Sequence, residues 1–168
     1  RIFEIQDEVV ARIVSTVADM NGVLPHAMSE ALLSRDPRQL SPYEAVVRGL
    51  GYYERITVEE HAAVRDALER AVQEAPDSAD AWALLAEAYA EEFKHGFNVR
   101  PDPLGRALEA ARRAVAAAPQ NHLAQHALAQ ALFFRRELQA FRNAADRAVA
   151  LNPMDGCTTN FLGILMAY

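Results

Sequence analysis

Two histidines stand at a spacing that suits a metal ion. His122 and His126 are four positions apart, which places both imidazoles on one face of a helix, and imidazoles are common zinc ligands. A zinc site needs further ligands, and no Cys, Asp or Glu is arranged nearby in the sequence to complete one. His61 follows Glu59 and Glu60 but does not complete the H-E-x-x-H pattern of metalloproteases. We therefore predict no metal and no cofactor.

Residues for nucleophilic or phosphate chemistry also lack a suitable setting. Cys157 has no base in a recognisable motif, so we interpret it as a small buried or groove residue. The seven glycines are scattered and form no phosphate-binding loop. The pairs Arg112–Arg113 and Arg135–Arg136 lie near expected helix ends, where cations stabilise the termini. The sequence therefore predicts no catalytic residue and no enzyme activity for this chain.

The composition narrows the classes of partner and environment. Hydrophobic residues make up 51% of the 168 residues, which is typical of a globular chain. The net charge is −6 and no basic stripe stands out, so nucleic acid is not an expected partner. A single cysteine excludes an internal disulfide and favours a reducing compartment. No apolar run approaches the ~20 residues that span a bilayer, so we expect a cytoplasmic location and no membrane partner.

The apolar residues recur with a period of 34 residues. Three segments each place apolar residues on one helical face and then end at a proline, which stops a helix. They are Val64-x3-Leu68-x2-Ala71-x4-Pro76, Ala107-x3-Ala111-x2-Ala114-x4-Pro119 and Phe141-x3-Ala145-x2-Ala148-x4-Pro153. The last two prolines are 34 positions apart and the first two are 43 apart. The difference, 43 − 34, indicates a nine-residue insertion in the middle unit.

A second pattern accompanies these helices, and its members are Trp82-x2-Leu85-Ala86-x2-Tyr89, Gln125-x2-Leu128-Ala129-x2-Leu132, Thr159-x2-Leu162-Gly163-x2-Met166 and, in weaker form, Tyr43-x2-Val46-Val47-x2-Leu50. The small residue that follows Leu in the first three allows a second helix to pack closely. Together the two patterns resemble the tetratricopeptide repeat (TPR), W-x2-L-G-x2-Y followed by A-x3-F-x2-A-x4-P. The resemblance implies an all-α, TPR-like α-solenoid of antiparallel helix pairs in a right-handed superhelix.

The repeat register divides the chain into two parts. Residues 1–40 lie outside it and carry an apolar stripe that predicts an amphipathic helix, formed by Ile2, Ile5, Val9, Ile13 and Val17. This helix either packs on the first repeat as a cap or docks an upstream domain. Residues 41–168 form the repeats, in units 41–76 (divergent), 77–119 (with the insertion), 120–153 (regular) and 154–168 (truncated). Predicted helices are 4–20, 27–34, 42–55, 58–75, 79–93, 103–118, 122–135, 137–151 and 156–168. Capping boxes are predicted at Ser41–Glu44 and Thr57–Glu60, and capping residues at Asp102, Asn121 and Asp155.

The segment before the repeats carries a more particular resemblance. Phe3-Glu4-Ile5-Gln6-Asp7-Glu8-Val9-Val10 resembles the F-x-L-Q-D-E-I helix of a bacterial signalling group, and Arg48-Gly49 with Arg55-Ile56-Thr57 resembles its R-G … R-x-T segment. In that group a class III adenylate or guanylate cyclase domain, or a winged-helix DNA-binding domain, precedes the repeats. The resemblance covers residues 3–119, and the cyclase's metal-binding aspartates have no counterpart here. Because the chain begins without Met and ends inside a repeat, we expect it to be part of a longer protein.

The TPR resemblance also implies where a partner binds, because the first helix of each pair lines a concave groove. The candidate partner-binding residues are Glu87, Glu91, Leu123, His126, Gln130, Phe133, Phe134 and Asn160. Phe133 and Phe134 are the strongest of these, since aromatic residues anchor interfaces. Alternatively, these side chains are solvated or covered by further repeats. Repeat proteins that grip acidic chaperone tails use Lys, Asn and Arg in this groove, so Glu87, His126 and Gln130 argue against such a clamp.

The insertion, residues 94–103, is a second candidate site, because long loops often carry function. The alternative is a surface elaboration in which Phe97 and Val99 pack onto a neighbouring helix. Its composition alone does not decide between these readings.

Three functions are consistent with these patterns. The first is a protein–protein interaction or scaffold module, the regulatory C-terminal part of a bacterial signalling protein, with a protein or peptide as partner. The second is self-association, or packing against an upstream domain with no external ligand. The third is that the parent is a nucleotide cyclase regulated by this array, in which case this chain alone does not turn over ATP or GTP.

Overall fold

The computed structural model describes residues 23–153 and 155–167, and the regular structure of that part is entirely helical. Its α-helices are α1 Val23–Leu32, α2 Pro42–Leu50, α3 Val58–Glu74, α4 Ala79–His95, α5 Pro103–Ala117, α6 His122–Phe134, α7 Leu138–Leu151 and α8 Gly156–Met166. Short 3-10 helices cover Pro37–Gln39 and Tyr52–Glu54. The all-α prediction is confirmed for these residues. The predicted helix 4–20 lies outside them.

Helix ends follow local capping chemistry. Ser41 Oγ accepts a hydrogen bond from the Glu44 N–H, and the Glu44 carboxylate accepts one from the Ser41 N–H at 2.9 Å, which forms the predicted capping box. Side chains of Asp102 and Asn121 cap α5 and α6 in the predicted places. The Asp155 carboxylate accepts the Thr158 N–H at 3.1 Å in the first turn of α8. These bonds satisfy backbone donors that have no partner inside the helix.

Three sequence expectations about helix ends are wrong. The predicted helix 42–55 stops at Leu50, where Gly49 and Gly51 weaken the helix and a 3-10 turn takes over. Thr57 caps α3 by accepting the Glu60 N–H, but the reciprocal bond of the expected capping box is missing, because the Glu60 carboxylate binds Arg48 instead, at 2.8 Å. The predicted helix 27–34 spans Val23–Leu32. The other described helices end within two residues of their predicted bounds.

Packing joins helices that are close along the chain. The pairs α2–α3, α4–α5 and α6–α7 are in contact, α4 also touches α2 and α6, and α6 touches α8. The buried apolar residues form two clusters, one around Leu68 and Leu85 and the other around Phe141 and Leu162. Tyr89 and Leu128 pack against both clusters. The core therefore continues from one end of the described stack to the other.

Small residues bring the helices together at two of the positions that the repeat pattern marked. Ala86 and Ala129 are almost completely buried, as close packing requires. Gly163, at the equivalent position of α8, is exposed, and a Cβ atom there would meet nothing within 4 Å. Close packing thus explains the small residue in the two central units only. In the described part of the chain no helix is long and apolar enough to cross a membrane.

Candidate functional site

The structure divides the eight predicted groove residues among different environments. Five are buried, namely Glu87 and Glu91 of α4 and Leu123, His126 and Gln130 of α6. Phe133 and Phe134 are partly buried at the end of α6, and Asn160 of α8 is exposed. Four of the eight therefore form a buried polar cluster and two an aromatic surface, while Leu123 belongs to the apolar core and Asn160 is exposed on α8. Burial follows because the facing sides of α4 and α6 are in contact.

The buried polar cluster consists of Glu87, Glu91, His126 and Gln130. Tyr53 reaches it from the turn after α2, and its hydroxyl donates to Glu87 Oε2 at 2.8 Å. His126 Nε2 lies 3.7 Å from Glu87 Oε1. Within the described residues, each of the four members has one buried side-chain atom without a hydrogen-bond partner, namely Glu87 Oε1, Glu91 Oε2, His126 Nδ1 and Gln130 Oε1. His95 Nε2 lies 2.9 Å from Glu91 Oε2 and can pair with it as an ion when protonated. Unpaired buried polar atoms are costly, so this cluster is the least satisfied part of the described core.

Burial shifts the pKa values of the two central groups in opposite directions. Burial raises the pKa of Glu87 to about 7, against the opposing hydrogen bond from Tyr53. Burial also lowers the pKa of His126 to about 4, against the opposing charge of Asp155. At neutral pH the imidazole is therefore uncharged and the Glu87 carboxyl is about half protonated. The facing atoms of the two groups, 3.7 Å apart, lie beyond hydrogen-bond distance, so no proton is shared between them.

The two histidines of the possible zinc pair face different partners. His122 Nε2 lies 3.7 Å from Asp155 Oδ2, whereas His126 faces Glu87. Over residues 23–153 and 155–167, no group of three or more His, Cys, Asp or Glu side chains is arranged to hold a metal ion. The side chain of Cys157 lies outside the described part of the chain.

The second feature is a pocket that we call the phenylalanine pocket, a cavity of about 370 Å³ lined by Phe93, Phe133, Phe134, Arg136 and Leu138. The Phe93 and Phe134 ring centroids are 5.8 Å apart, and those of Phe133 and Phe134 are 5.4 Å apart. Phe93 is 52% exposed and Leu138 is 46% exposed. The pocket therefore presents apolar side chains to solvent where α4 ends and where α6 turns into α7.

Only two of the five pocket residues were candidates from the sequence. Phe93 is the last residue of the predicted helix 79–93, and Leu138 is the first residue of α7. The available signal was the placement of apolar residues at helix ends, where the repeat pattern does not require them. Their proximity depends on contact between α4 and α6, which the linear pattern does not specify.

The insertion is held closely against α3 and α4. The Phe97 ring stacks on His95 at 5.3 Å and meets the His61 ring edge-on at 6.2 Å. Asn98 Nδ2 donates to the Val58 carbonyl oxygen at 2.7 Å. Val99 is 59% exposed, so the expectation that it packs onto a helix is wrong, while Phe97 is partly buried as that expectation requires.

A buried carboxylate fixes the base of the insertion. Glu92 is fully buried and accepts hydrogen bonds from Arg65 at 3.1 Å, from Arg106 at 2.5 Å and from the Arg100 N–H at 3.0 Å. Although burial acts to raise the pKa of Glu92, the bonds from Arg106, Arg100 and Arg65 lower it below its usual value. We call this group the Glu92 clamp. It ties α3, α4, α5 and the insertion together through charge-assisted bonds.

Comparison with known proteins does not place the chain in a family. It matches no protein-family model and no curated protein significantly. The TPR resemblance therefore depends on the repeated residues of the sequence alone. The function is therefore inferred from the buried polar cluster, the phenylalanine pocket and the insertion.

Proposed function

We propose that this chain is a TPR-like array that binds a protein or peptide and serves as the regulatory part of a bacterial signalling protein in the cytoplasm. The observation that carries the proposal is the coincidence of the 34-residue sequence period with helix pairing. The paired helices α4–α5 and α6–α7 fall in successive units of the sequence repeat, and α2, α4, α6 and α8 each contact the next of these four helices. A right-handed superhelix built from these pairs is part of the proposal.

Exposed apolar residues support binding as the function. Apolar side chains gathered in one place on a protein surface are a common feature of interaction sites. Phe93 and Leu138 are such residues, and they stand beside the aromatic pair that the sequence selected.

Site-specific photo-crosslinking tests the binding function. A benzophenone amino acid is placed at Asn160, an exposed candidate residue on α8, and at Gln73, an exposed residue of α3 outside the candidate site, as the control. Both variants are irradiated in lysate of the source organism, and the products are quantified by mass spectrometry. We expect a saturable product of defined stoichiometry at position 160 that exceeds the product at position 73. Equal, non-saturable products at both positions, or ATP or GTP turnover by the purified chain, would contradict the proposal.

The signalling role has its own test, which is the sequence of the complete reading frame. A cyclase domain or a winged-helix domain upstream of residue 3 supports it. Repeats alone on both sides would leave a scaffold and would remove the signalling assignment.

Self-association is a second candidate function, and one observation favours it. Ile164 on α8 is 52% exposed, next to a helix face that carries the buried residues Leu162 and Leu165. A second copy could cover it. Light scattering over a hundredfold concentration range decides between the two, because a mass that stays at the monomer value of 18.6 kDa excludes self-association of this chain.

A further inference from the structure

We infer that the phenylalanine pocket takes a peptide segment of a partner protein in which an apolar side chain stands close to a carboxylate. This inference deepens the proposed binding function and rests on it. Three observations carry it: the apolar lining that the core supports, the unpaired arginine at its rim and the size of the cavity.

The apolar lining is held in place by the core. Phe141 is 2% exposed, and its ring centroid lies 5.2 Å from that of Phe133. Phe133 in turn meets Phe134 edge-on, and Phe134 meets Phe93. The four rings form a continuous series from the interior to solvent, so the exposed end is supported from below. A supported aromatic lining binds an apolar side chain with little loss of conformational entropy.

Arg136 supplies the polar group of the pocket. The Arg136 N–H donates to the Phe133 carbonyl oxygen at 2.8 Å, and the Glu137 N–H donates to the Leu132 carbonyl oxygen at 2.9 Å. This pair of bonds is a Schellman motif, in which glycine usually occupies the left-handed position. Here Arg136 occupies it with φ 63°. The turn therefore presents a long cationic side chain at the pocket instead of a glycine.

The charge of Arg136 is available to a partner. Its neighbour Arg135 is bound to Glu137 Oε1 at 2.8 Å. Arg136 lines the cavity and is exposed, and its guanidinium has no hydrogen bond or ion pair to any described residue. A free guanidinium beside an apolar cavity favours a ligand that has both an apolar group and a carboxylate, because arginine binds carboxylates through paired hydrogen bonds.

The size of the cavity favours a peptide side chain over a cofactor. Its volume of about 370 Å³ lies at the small end of the ~300–1,000 Å³ range of ligand pockets. Nucleic acid is disfavoured, since the chain has a net charge of −6 and the pocket contains one arginine. One apolar side chain of leucine or phenylalanine size, next to Asp or Glu, satisfies both the lining and the charge.

Peptide display followed by affinity measurement tests the inference. A random peptide library is selected on the intact chain, and the consensus peptide is labelled for fluorescence anisotropy. Its carboxylate is then replaced by the matching amide in a second peptide. Both peptides are measured against the wild type, R136G, F134A and the control R142A, which removes an exposed arginine of α7 outside the pocket.

The expected result is a consensus with an apolar residue near Asp or Glu. R136G should bind the acidic peptide at least tenfold more weakly, a loss of about 1.4 kcal/mol, and should bind the amide peptide as the wild type does. F134A should weaken both peptides, and R142A should weaken neither. Thermal unfolding followed by circular dichroism checks that each variant folds, and R136G should fold well because glycine suits its left-handed position.

Several outcomes would overturn the inference. The first is that the library yields no peptide enriched more strongly on the wild type than on R136G. The second is a consensus that lacks an acidic residue. The third is that the enriched peptides bind R136G and F134A as tightly as they bind the wild type. In the last case the proposed binding function survives, because crosslinking at position 160 tests it independently. A dimer that dissociates on F134A substitution would assign the pocket to a second copy of the chain instead.

Discussion

At the scale of single residues, Glu87 and His126 contribute opposite pH dependences to folding. The pKa of Glu87 rises from 4.5 to about 7 on folding, so its contribution is greatest below pH 4.5 and is lost as the pH rises through 7. The pKa of His126 falls from 6.5 to about 4, so its contribution is present above pH 6.5 and is lost as the pH falls through 4. Between about pH 4.5 and 6.5, the stability that Glu87 loses as the pH rises is offset by the stability that His126 gains.

The substitution Glu87→Gln should reveal the pH dependence of the free energy of unfolding that His126 contributes. Glutamine keeps the size of the side chain and cannot ionise, so the loss of stability with rising pH disappears. Relative to the wild type, the free energy of unfolding of E87Q should rise between pH 4.5 and 7.5 by on the order of 3 kcal/mol. Urea unfolding at four pH values across this range measures the effect. Glu109→Gln, at an exposed position, should run parallel to the wild type; an E87Q curve that also runs parallel would show that Glu87 is charged in the folded chain.

Arg136 stores backbone strain in the turn between α6 and α7. A residue with a side chain is destabilised by roughly 1–2 kcal/mol in the left-handed region. Glycine avoids this strain, but part of the gain in stability is offset because glycine makes the unfolded chain more flexible. R136G should therefore raise the free energy of unfolding by about 0.5–1 kcal/mol, measured by urea unfolding. R136A removes the same charge but keeps the strain, so it should give no such gain. A less stable R136G would mean that the side chain itself stabilises the turn.

At the scale of elements, the Glu92 clamp makes the insertion part of the fold. Arg65→Ala leaves a buried carboxylate with one cationic partner fewer, and it should lower the free energy of unfolding by about 3 kcal/mol. Amide hydrogen exchange should also quicken in residues 96–102. Glu109→Ala removes an exposed pair with Arg113 and should cost less than about 0.5 kcal/mol. Equal losses in the two variants would show that the clamp is no stronger than a surface ion pair.

The ends of most helices follow from sequence because their determinants are local. The side chains of Ser41, Asp102 and Asn121 each accept from the amide three positions away, and the helices that precede the repeat prolines end two residues before them. The reciprocal bond at Thr57 could not be foreseen, since Glu60 is taken by Arg48 of the preceding helix. Local chemistry therefore predicts where helices begin, and tertiary partners decide which capping bonds remain.

At the scale of the whole molecule, each helix contacts mainly helices that are close to it along the chain. A substitution in the last helix should therefore destabilise only the helices next to it. Leu162→Ala in α8 should speed amide exchange in α7 and α8 while α3 and α4 keep their protection. Leu85→Ala, in the middle of the stack, should lower the stability of all described helices by about 2–4 kcal/mol. Exchange measured by mass spectrometry separates the two patterns. Global loss of protection in L162A would indicate one all-or-none unit.

The helical class followed from the sequence, and the arrangement of the candidate site did not. The period of 34 residues predicts helices and their order, because apolar spacing and proline positions are linear properties. The burial of Glu87 and the meeting of Phe93 with Phe134 depend on how closely α4 approaches α6. That distance is set by many side chains at once. Thus the groove residues were selected together, yet they lie in two separate places.

The left-handed arginine has a consequence for laboratory evolution of this chain. Every arginine codon becomes a glycine codon through a single base change, so random mutagenesis samples the substitution at position 136 readily. A population selected only for heat resistance should accumulate glycine there. A population selected for heat resistance and for capture of an acidic peptide should retain arginine. The frequency of glycine at position 136 would thus report, from sequencing alone, whether recognition opposes stability at this turn.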